Sequence, residues 1–379
     1  MKTEYSLSNW KRVVIKVGST LVAPNGEGGS GKYILPIANF IIQCRSLGKE
    51  VILVSSGAVA AGLSTQPKLQ NKVYKSIPEK QALAAIGQTM LIQNWSRFFD
   101  FPCAQVLLTY DGLFNRERFI NAKNTINELL KLKTLPIVNE NDTVAVEELK
   151  VGDNDNLAAH VAVLSESDLL IICSDIDGLY DDNPNKKSTA KLIKVVEKID
   201  DSIFSAAGSS NNPLAKGGMR TKIEAAQKAA SRGIDTIIMN GTKRETFDEL
   251  LKGNIKGSII KKTENTVQAK KHWLLHAIPS SGKVYVDEGA KNAIVKKGAS
   301  LLPSGIIKIE GSFTSGDAVN IVYTASNIEK IIAKGIILYD SKDLDSIKGK
   351  KSSEIQEILG YFNDNEVIHR RDIVLTEGQ

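Results

Sequence analysis

The sequence predicts an α/β protein, with a first region built on a mainly parallel sheet covered by helices and a small β-rich domain after it. Three observations carry this expectation. Short runs of β-branched and other apolar residues, RVVIKV at 12–17, EVILV at 50–54 and DLLIIC at 168–173, alternate with longer segments of helical apolar spacing, as βαβ units require. Within those runs almost every position is apolar, which suits strands buried on both faces. From Gly282 the texture changes to short alternating stretches, KVYVD, IIKIEG and AVNIVY, separated by Gly, Ser and Pro turns. A compact β-rich domain of about 75 to 80 residues follows from that spacing.

The chain of 379 residues has room for two or three domains and at least one large core. No run approaches the length of a membrane span, and the first twenty residues are too interrupted by polar side chains for a signal peptide, so a soluble, cytoplasmic protein is expected. Cys44, Cys103 and Cys173 lie far apart beside apolar residues, as reduced buried thiols do. Of the four histidines only His272 and His276 stand at a metal-ligand spacing, with no acidic or Cys partner near, so zinc is not expected. The net charge of +6 raises the question of nucleic acid. From Ser281 onward, however, 13 Lys and Arg stand against 14 Asp and Glu, a net of −1, and the preceding residues carry +7. Positive charge placed there suits an anionic substrate or nucleotide at least as well as a polynucleotide.

Along the chain, 12–17 reads as a buried strand ending in Gly18, Ser19 and Thr20, with Lys16 as the exceptional charge in an apolar run. A strand-end lysine that snorkels to water is the bland alternative. A helix over 34–47, stopped by Gly48, leads to the strand at 50–54 and then to SSGAVAAG. Ser55, Ser56 and Gly57 stand where a strand hands over to a helix, so their N–H groups make an anion site; close helix packing would ask for the same small residues. Residues 79–99 predict an amphipathic helix with Leu83, Ile86, Met90 and Phe98 on one stripe and Trp95 nearby, used for core or subunit contact. A strand at 104–109, a helix at 118–132 and a strand at 135–138 then bring the chain to VNENDTVAVEELKVGDNDN at 138–156.

In these nineteen residues Asp142, Asp153 and Asp155 lie among Asn139, Asn141, Asn154 and Asn156. Amides that donate and accept, beside carboxylates that only accept, can hold a zwitterion by both ends. A pair of Asx turns would use the same residues. A helix over 156–164 and the strand at 168–173 lead to SDIDGLYDDNP, whose acids Asp175, Asp177, Asp181 and Asp182 suit ribose hydroxyls or a magnesium shell, or else are solvated loop charges. In NNPLAKGGMRTKIEAA at 211–226, paired glycines, a helix start and Lys222 suit phosphates. A lysine in a helix's first turn otherwise opposes the macrodipole, so it implies a bound anion. The strand at 236–239 closes this region, and the lysine-rich segment 261–271 reads as a linker.

Neither GxxxxGK[ST] nor a protein-kinase HRD and DFG set is present. Two separated lysines, two glycine-rich turns and an amide-rich pocket at strand carboxyl ends still supply what phosphoryl transfer needs, alignment and charge neutralisation.

Read together, IKVGST, SSGAVAAG, VNENDTVAVEELKVGDNDN, SDIDGLYDDNP, KGGMRTKIEAA and VYVDEGAKNAIVKKGASLLPSGI resemble, almost from end to end, the glutamate 5-kinase family, amino acid kinases with a C-terminal PUA domain. The resemblance implies an amino acid kinase-like three-layer sandwich around a mainly parallel sheet at 1–262, a linker at 263–280, a PUA-like domain at 281–360 and a C-terminal tail at 361–379. It implies ATP-dependent phosphorylation of the side-chain carboxylate of L-glutamate to L-glutamyl 5-phosphate with ATP and Mg2+, as the first step of proline biosynthesis, with proline as feedback inhibitor. A homo-oligomer is implied, with the next enzyme, glutamyl phosphate reductase, as a candidate partner.

Motif by motif, Ser56, Asp142 and Asn154 fall where the family binds glutamate. Lys16 and Lys222 fall where its lysines flank the transferring group, and Asp155 would hold both in place. Nucleotide contacts fall on Lys16, Ser174, Asp175 and the stretch Lys216, Gly217, Gly218, Met219, Arg220, Thr221 and Lys222; no side chain is assigned to the metal. Ser174 and Lys216 stand where Thr is commoner in the family. One rival is a kinase of the same fold acting on aspartate or acetylglutamate, against which the NEND pocket and the PUA-like part speak. The other is an RNA-binding protein, since PUA domains elsewhere bind RNA, but the near-neutral tail offers little counterion release.

Overall fold

Eight strands form the sheet of the first unit: β1 (Arg12–Val17), β2 (Glu50–Ser55), β3 (Cys103–Leu108), β4 (Leu135–Glu140), β5 (Leu169–Ser174), β6 (Val195–Val196), β7 (Asp235–Asn240) and β8 (Gly257–Ile260). Their order is β3-β4-β2-β1-β5-β7-β8-β6, and every neighbouring pair is parallel except β7 with β8. This is a computed structural model, and it describes residues 10–24, 30–70, 76–114, 116–145, 154–182, 184, 187, 189–206, 218–263, 280–325, 328–362 and 364–376. The chain divides into two compact units, Met1–Glu264 and Asn265–Gln379.

The two-residue period of a strand sends alternate side chains to opposite faces, and the cores follow that rule. Val13, Ile15 and Val17 enter one apolar cluster with Phe40, Trp95 and Phe247, from the helices Gly31–Ser46, Ile77–Ser96 and Arg244–Leu251. Val14, Ile52 and Val54 enter the other, with Ile126, Leu157 and Ile223 from the helices Arg116–Lys131, Asn154–Leu164 and Met219–Ala230. The result is three layers, helix on sheet on helix. Lys16 shares the face of Val14, so its long side chain runs beneath the helix that Asn154 opens instead of snorkelling outward.

The Ile77–Ser96 helix begins two residues earlier than its apolar pattern predicts, because Ser76 and Glu79 form a capping box: the Ser76 N–H donates to the Glu79 carboxylate at 2.7 Å, satisfying a free helix end. Its buried stripe also differs from expectation. Leu83 and Trp95 are buried, but Ile86 is 42 % exposed, and the inner positions next to Leu83 and Leu91 belong to Ala84, Gly87 and Gln88. The cause is the neighbouring helix, Ala58–Ser64, which approaches at backbone contact. A Cβ on Gly62 would lie 1.9 Å from the Leu83 carbonyl oxygen, and one on Gly87 would lie 1.8 Å from that of Ala58. Only hydrogen fits between these helices, so the last glycine of SSGAVAAG serves packing.

The second unit is a separate, small β-rich domain. Its sheet runs β10 (Ile306–Gly311), β9 (Gly282–Val286), β11 (Ala318–Ala325), β12 (Ile328–Ile336), β13 (Ile373–Leu375), antiparallel except for β9 with β11. Residues expected to form a tail at 361–379 are, in their described part, built into this domain. Val367 and Ile368 are fully buried in its core, the Leu338 N–H donates to the Val367 carbonyl at 2.9 Å, and β13 pairs with β12. The buried hydroxyl of Tyr339 accepts the Asp364 N–H at 2.8 Å. The apolar pair Val367 and Ile368 and the run Ile373–Leu375 are too short to stand out as a strand signal without their partners.

Candidate active site

The strand carboxyl ends of β1, β2 and β5 lie side by side, since Lys16 pairs in register with Val54 and Ile172. Over them sits the first turn of the Asn154–Leu164 helix, in which three consecutive polar residues, Asn154, Asp155 and Asn156, are all buried. Asp155 is fully buried and takes one lysine on each oxygen: Lys16 Nζ lies 2.6 Å from Oδ1 and Lys222 Nζ 3.0 Å from Oδ2. The Thr221 hydroxyl lies within hydrogen-bond distance of two acceptors, Oδ2 at 3.0 Å and the Gly218 carbonyl at 2.8 Å, which share its one proton. Burial alone would push the Asp155 carboxyl up, but the two cations, Lys16 foremost, overcome it and hold the group down at about 2. Lys16 is 1 % exposed and Lys222 5 %. Among the described residues, two ammonium groups stand against one carboxylate in a place nearly closed to water, an excess of positive charge that favours an arriving anion. The anion implied by a lysine at a helix start is thus met in part by Asp155 itself.

Beside the triad runs a row of side-chain hydrogen bonds. Asn154 Nδ2 donates to the Ser56 hydroxyl oxygen and to Asn139 Oδ1, each at 2.8 Å. Asn139 Nδ2 in turn donates to Gln88 Oε1 at 2.8 Å. Adjacent serines therefore part company. Ser56 faces this row, whereas the Ser55 hydroxyl is buried on the opposite face as the acceptor for the Trp95 indole N–H at 2.8 Å; the Ser56 N–H, expected to help form an anion site, instead donates to the Val17 carbonyl at 3.1 Å. Asp142 stands in the turn after β4 and lines a cavity of about 220 Å³ with Gln88, Asn141, Glu140 and Gln105. Pattern alone gives neither Asn139 nor Gln88 a role of its own. Asn139 is an amide near the carboxyl end of an apolar strand, and Gln88 is a polar residue inside a helix's buried stripe; that is the signal each offers.

On the β5 side, Ser174 ends its strand and its hydroxyl donates to Asp175 Oδ1 at 3.1 Å. The acidic loop beyond is mostly occupied with its own structure. Asp177 accepts from Asn240 at 2.8 Å and from Lys243 at 2.6 Å, and the Lys243 hydrogen bond, above all, holds its carboxyl below the usual range. Asp182 pairs with Lys187 at 2.8 Å, and Asp181 accepts the Lys191 N–H at 2.7 Å. Among the described residues no three metal-binding side chains converge; Asp175 is the exposed acid of this group that remains next to the site. Gly218 caps the Met219–Ala230 helix in an extended conformation, and a Cβ at that position would meet nothing within 4 Å. Met219 packs against the core, and Arg220 turns away to Glu224 of its own helix, 3.1 Å off, so neither side chain joins the triad. Lys216 and Gly217 lie outside the described residues, as does Asp153.

The chain matches known families and proteins over nearly its whole length. The amino acid kinase family matches residues 11–240 and the PUA domain family residues 282–359. Curated relatives include "Glutamate 5-kinase" of Salinibacter ruber, 54 % identical over 98 % of this chain and 98 % of its own length. Others carry the same name in Idiomarina loihiensis, at 51 % identity over 97 % of this chain and 98 % of theirs, and in Xanthomonas oryzae pv. oryzae, at 45 % over 96 % and 100 %. With a buried lysine pair at the strand ends, an amide row beside it and relatives matching nearly end to end, the chain belongs to the amino acid kinase family, among the glutamate 5-kinases that carry a C-terminal PUA domain.

Proposed function

We propose that the chain transfers the γ-phosphoryl group of ATP to the side-chain carboxylate of L-glutamate, giving L-glutamyl 5-phosphate and ADP, in the cytoplasm, as the first step of proline biosynthesis. The observation that carries this is the buried Lys16–Asp155–Lys222 triad, two lysines on one carboxylate, next to the Ser56–Asn154 pair. A carboxylate oxygen attacks the γ-phosphorus while the bond to the β-phosphate oxygen breaks, so no base is needed. What the chain must supply is charge placed where the equatorial and bridging oxygens become more negative. Lys16 and Lys222 do that, and Asp155 keeps the two cations from repelling each other apart. Asp142 takes the substrate ammonium, and Asn154 with Ser56 orients the chain between the two ends.

Asp175, Ser174 and the turn at Gly218 receive the nucleotide. Among the described residues no three metal-binding side chains converge here, and a magnesium ion would be carried in on the phosphates, with Asp175 as the acid beside it. Bound there, the ion would neutralise phosphate charge. Proline shares the α-carboxylate and ammonium-type nitrogen of glutamate but has no side-chain carboxylate, so it would occupy the Asp142 and Asn154 pocket as a competitive inhibitor.

An ATP-consumption assay over glutamate, aspartate and acetylglutamate, with hydroxylamine trapping the acyl phosphate, tests the reading. Hydroxamate formation with glutamate alone is expected, and turnover of another acid in preference would overturn it. With ATP saturating, added proline should raise the glutamate KM and leave the maximal rate unchanged; a fall in that rate which excess glutamate cannot restore would place proline at a separate site.

A further inference from the structure

The amide row has a polarity that phosphoryl transfer leaves unused. Gln88 is 8 % exposed, its Oε1 is taken by Asn139 Nδ2 at 2.8 Å, and its own Nε2 has no hydrogen-bond partner. A buried donor left unmade is a standing cost that proteins rarely carry without a use. The same side chain lines the cavity of about 220 Å³ whose facing turn bears Asp142. That space is many times what a single water needs, and is enough for a small amino acid.

An α-amino acid carries its ammonium and its α-carboxylate on one carbon. A site that takes the ammonium on Asp142 therefore needs a donor for the carboxylate within the same cavity. The other carboxylic side chain there, Glu140, would repel it. We propose that Gln88 determines specificity for an α-amino acid: its unpaired Nε2–H binds the α-carboxylate of the substrate whose ammonium Asp142 takes. The terminal torsion of a Gln side chain is broad, so a small turn brings the enclosed donor to the ligand. Once that bond forms, Gln88 Oε1 is held as an acceptor, Asn139 as its donor and Asn154 as donor to Ser56. The Ser56 hydroxyl hydrogen is then free to point at the substrate. This rests on the glutamate kinase reading and extends it to the end of the substrate remote from the chemistry.

Gln88→Glu is the informative variant, since it keeps the shape and the acceptor for Asn139 and replaces the free donor by a carboxylate oxygen. It should raise the glutamate KM by roughly ten-fold to a hundred-fold, the worth of a hydrogen bond to a charged group, with kcat and the ATP KM within about two-fold. Gln88→Leu should behave alike, and covers the case in which a buried carboxylate prevents folding. The control is 4-aminobutyrate, which has the ammonium and the reacting carboxylate but no α-carboxylate, measured as a competitor of glutamate. Its inhibition constant should be the same in the wild-type enzyme and in Gln88→Glu, which keeps the acceptor for Asn139. An unchanged glutamate KM in the variants would overturn the proposal, as would an equal loss for 4-aminobutyrate, because Gln88 would then act only by bracing Asn139. Wild-type enzyme that forms no hydroxamate with glutamate would instead sink the underlying activity, so the two failures are told apart.

Discussion

At the scale of single residues the site is governed by one carboxylate serving two cations. Replacing Lys16 or Lys222 by Ala should lower kcat on the order of 10² to 10³, the usual worth of one preorganised electrostatic group, with little change in glutamate affinity. Near-normal turnover in either variant would remove the lysines from the reaction. Asp155→Ala leaves two buried ammonium groups facing each other and should destabilise the fold by about 3 to 5 kcal/mol, the cost of breaking a buried ion pair from one side, as read by urea unfolding. The sign of the acid response follows from the depressed carboxyl. Its folded value of about 2 lies below the ordinary 3.8, so its stabilisation is complete above 3.8 and is lost as pH falls through that value toward 2. Comparing unfolding at about pH 5 and about pH 3 should show a smaller loss in Asp155→Asn than in the wild type; equal losses would assign the acid sensitivity to other carboxylates. Lys16 and Lys222 are legible in the sequence because each breaks a local rule, a charge inside an apolar strand and a lysine at a helix start, whereas Asp155 is set apart from the other acids among amides only by the family resemblance. Gln88 and Asn139 offer only a polar residue in a helix's buried stripe and an amide near a strand end, and their meaning arises only when a helix and a strand 51 positions apart in the chain are brought together.

Elements are legible where a period is long enough to count. The strands at β1, β2, β4, β5 and β7 fall within two residues of their apolar runs, because burial on both faces leaves little else for those residues to do. The Ile77–Ser96 helix shows in its pattern, but its inner face does not. Apolar periodicity favours Ile86, whereas backbone contact with the Ala58–Ser64 helix selects Gly87 and Ala84, and the size of a neighbour's side chain is invisible in one segment's pattern. Gly87→Ala places a methyl carbon 1.8 Å from the Ala58 carbonyl, and should cost about 3 kcal/mol, the upper part of the usual range for overpacking. Since the Ala58–Ser64 helix directly follows Ser56, the same change should also raise the glutamate KM. A Gly87→Ala enzyme of unaltered stability would show that these helices separate freely. Gly218→Ala makes the contrast, for nothing lies within 4 Å of the added carbon: stability should hold, and any effect should appear in the ATP KM.

For the molecule as a whole, every residue of the triad and the amide row belongs to the unit ending at Glu264. A chain shortened to residue 271 should therefore remain folded and keep phosphoryl transfer, since a domain with its own core can fold alone; insoluble or inactive protein from several nearby endpoints would show that the second unit completes the first. The division itself is readable from the change in texture at Gly282, but the extent of the second domain is not, because β13 gains its place only by pairing with β12 across a long separation. That late strand sets an order of events during synthesis. All the described strands of the first sheet have been made once Ile260 emerges, so that unit can fold while translation continues. The second sheet must wait for Ile373–Leu375, more than a hundred residues later in the chain. Until then β12 is an open edge, with Ile328 71 % and Ile331 42 % exposed even in the finished fold, and such edges recruit other chains. A stalled or frameshifted product would thus betray itself first by clumping, while its phosphoryl transfer persisted.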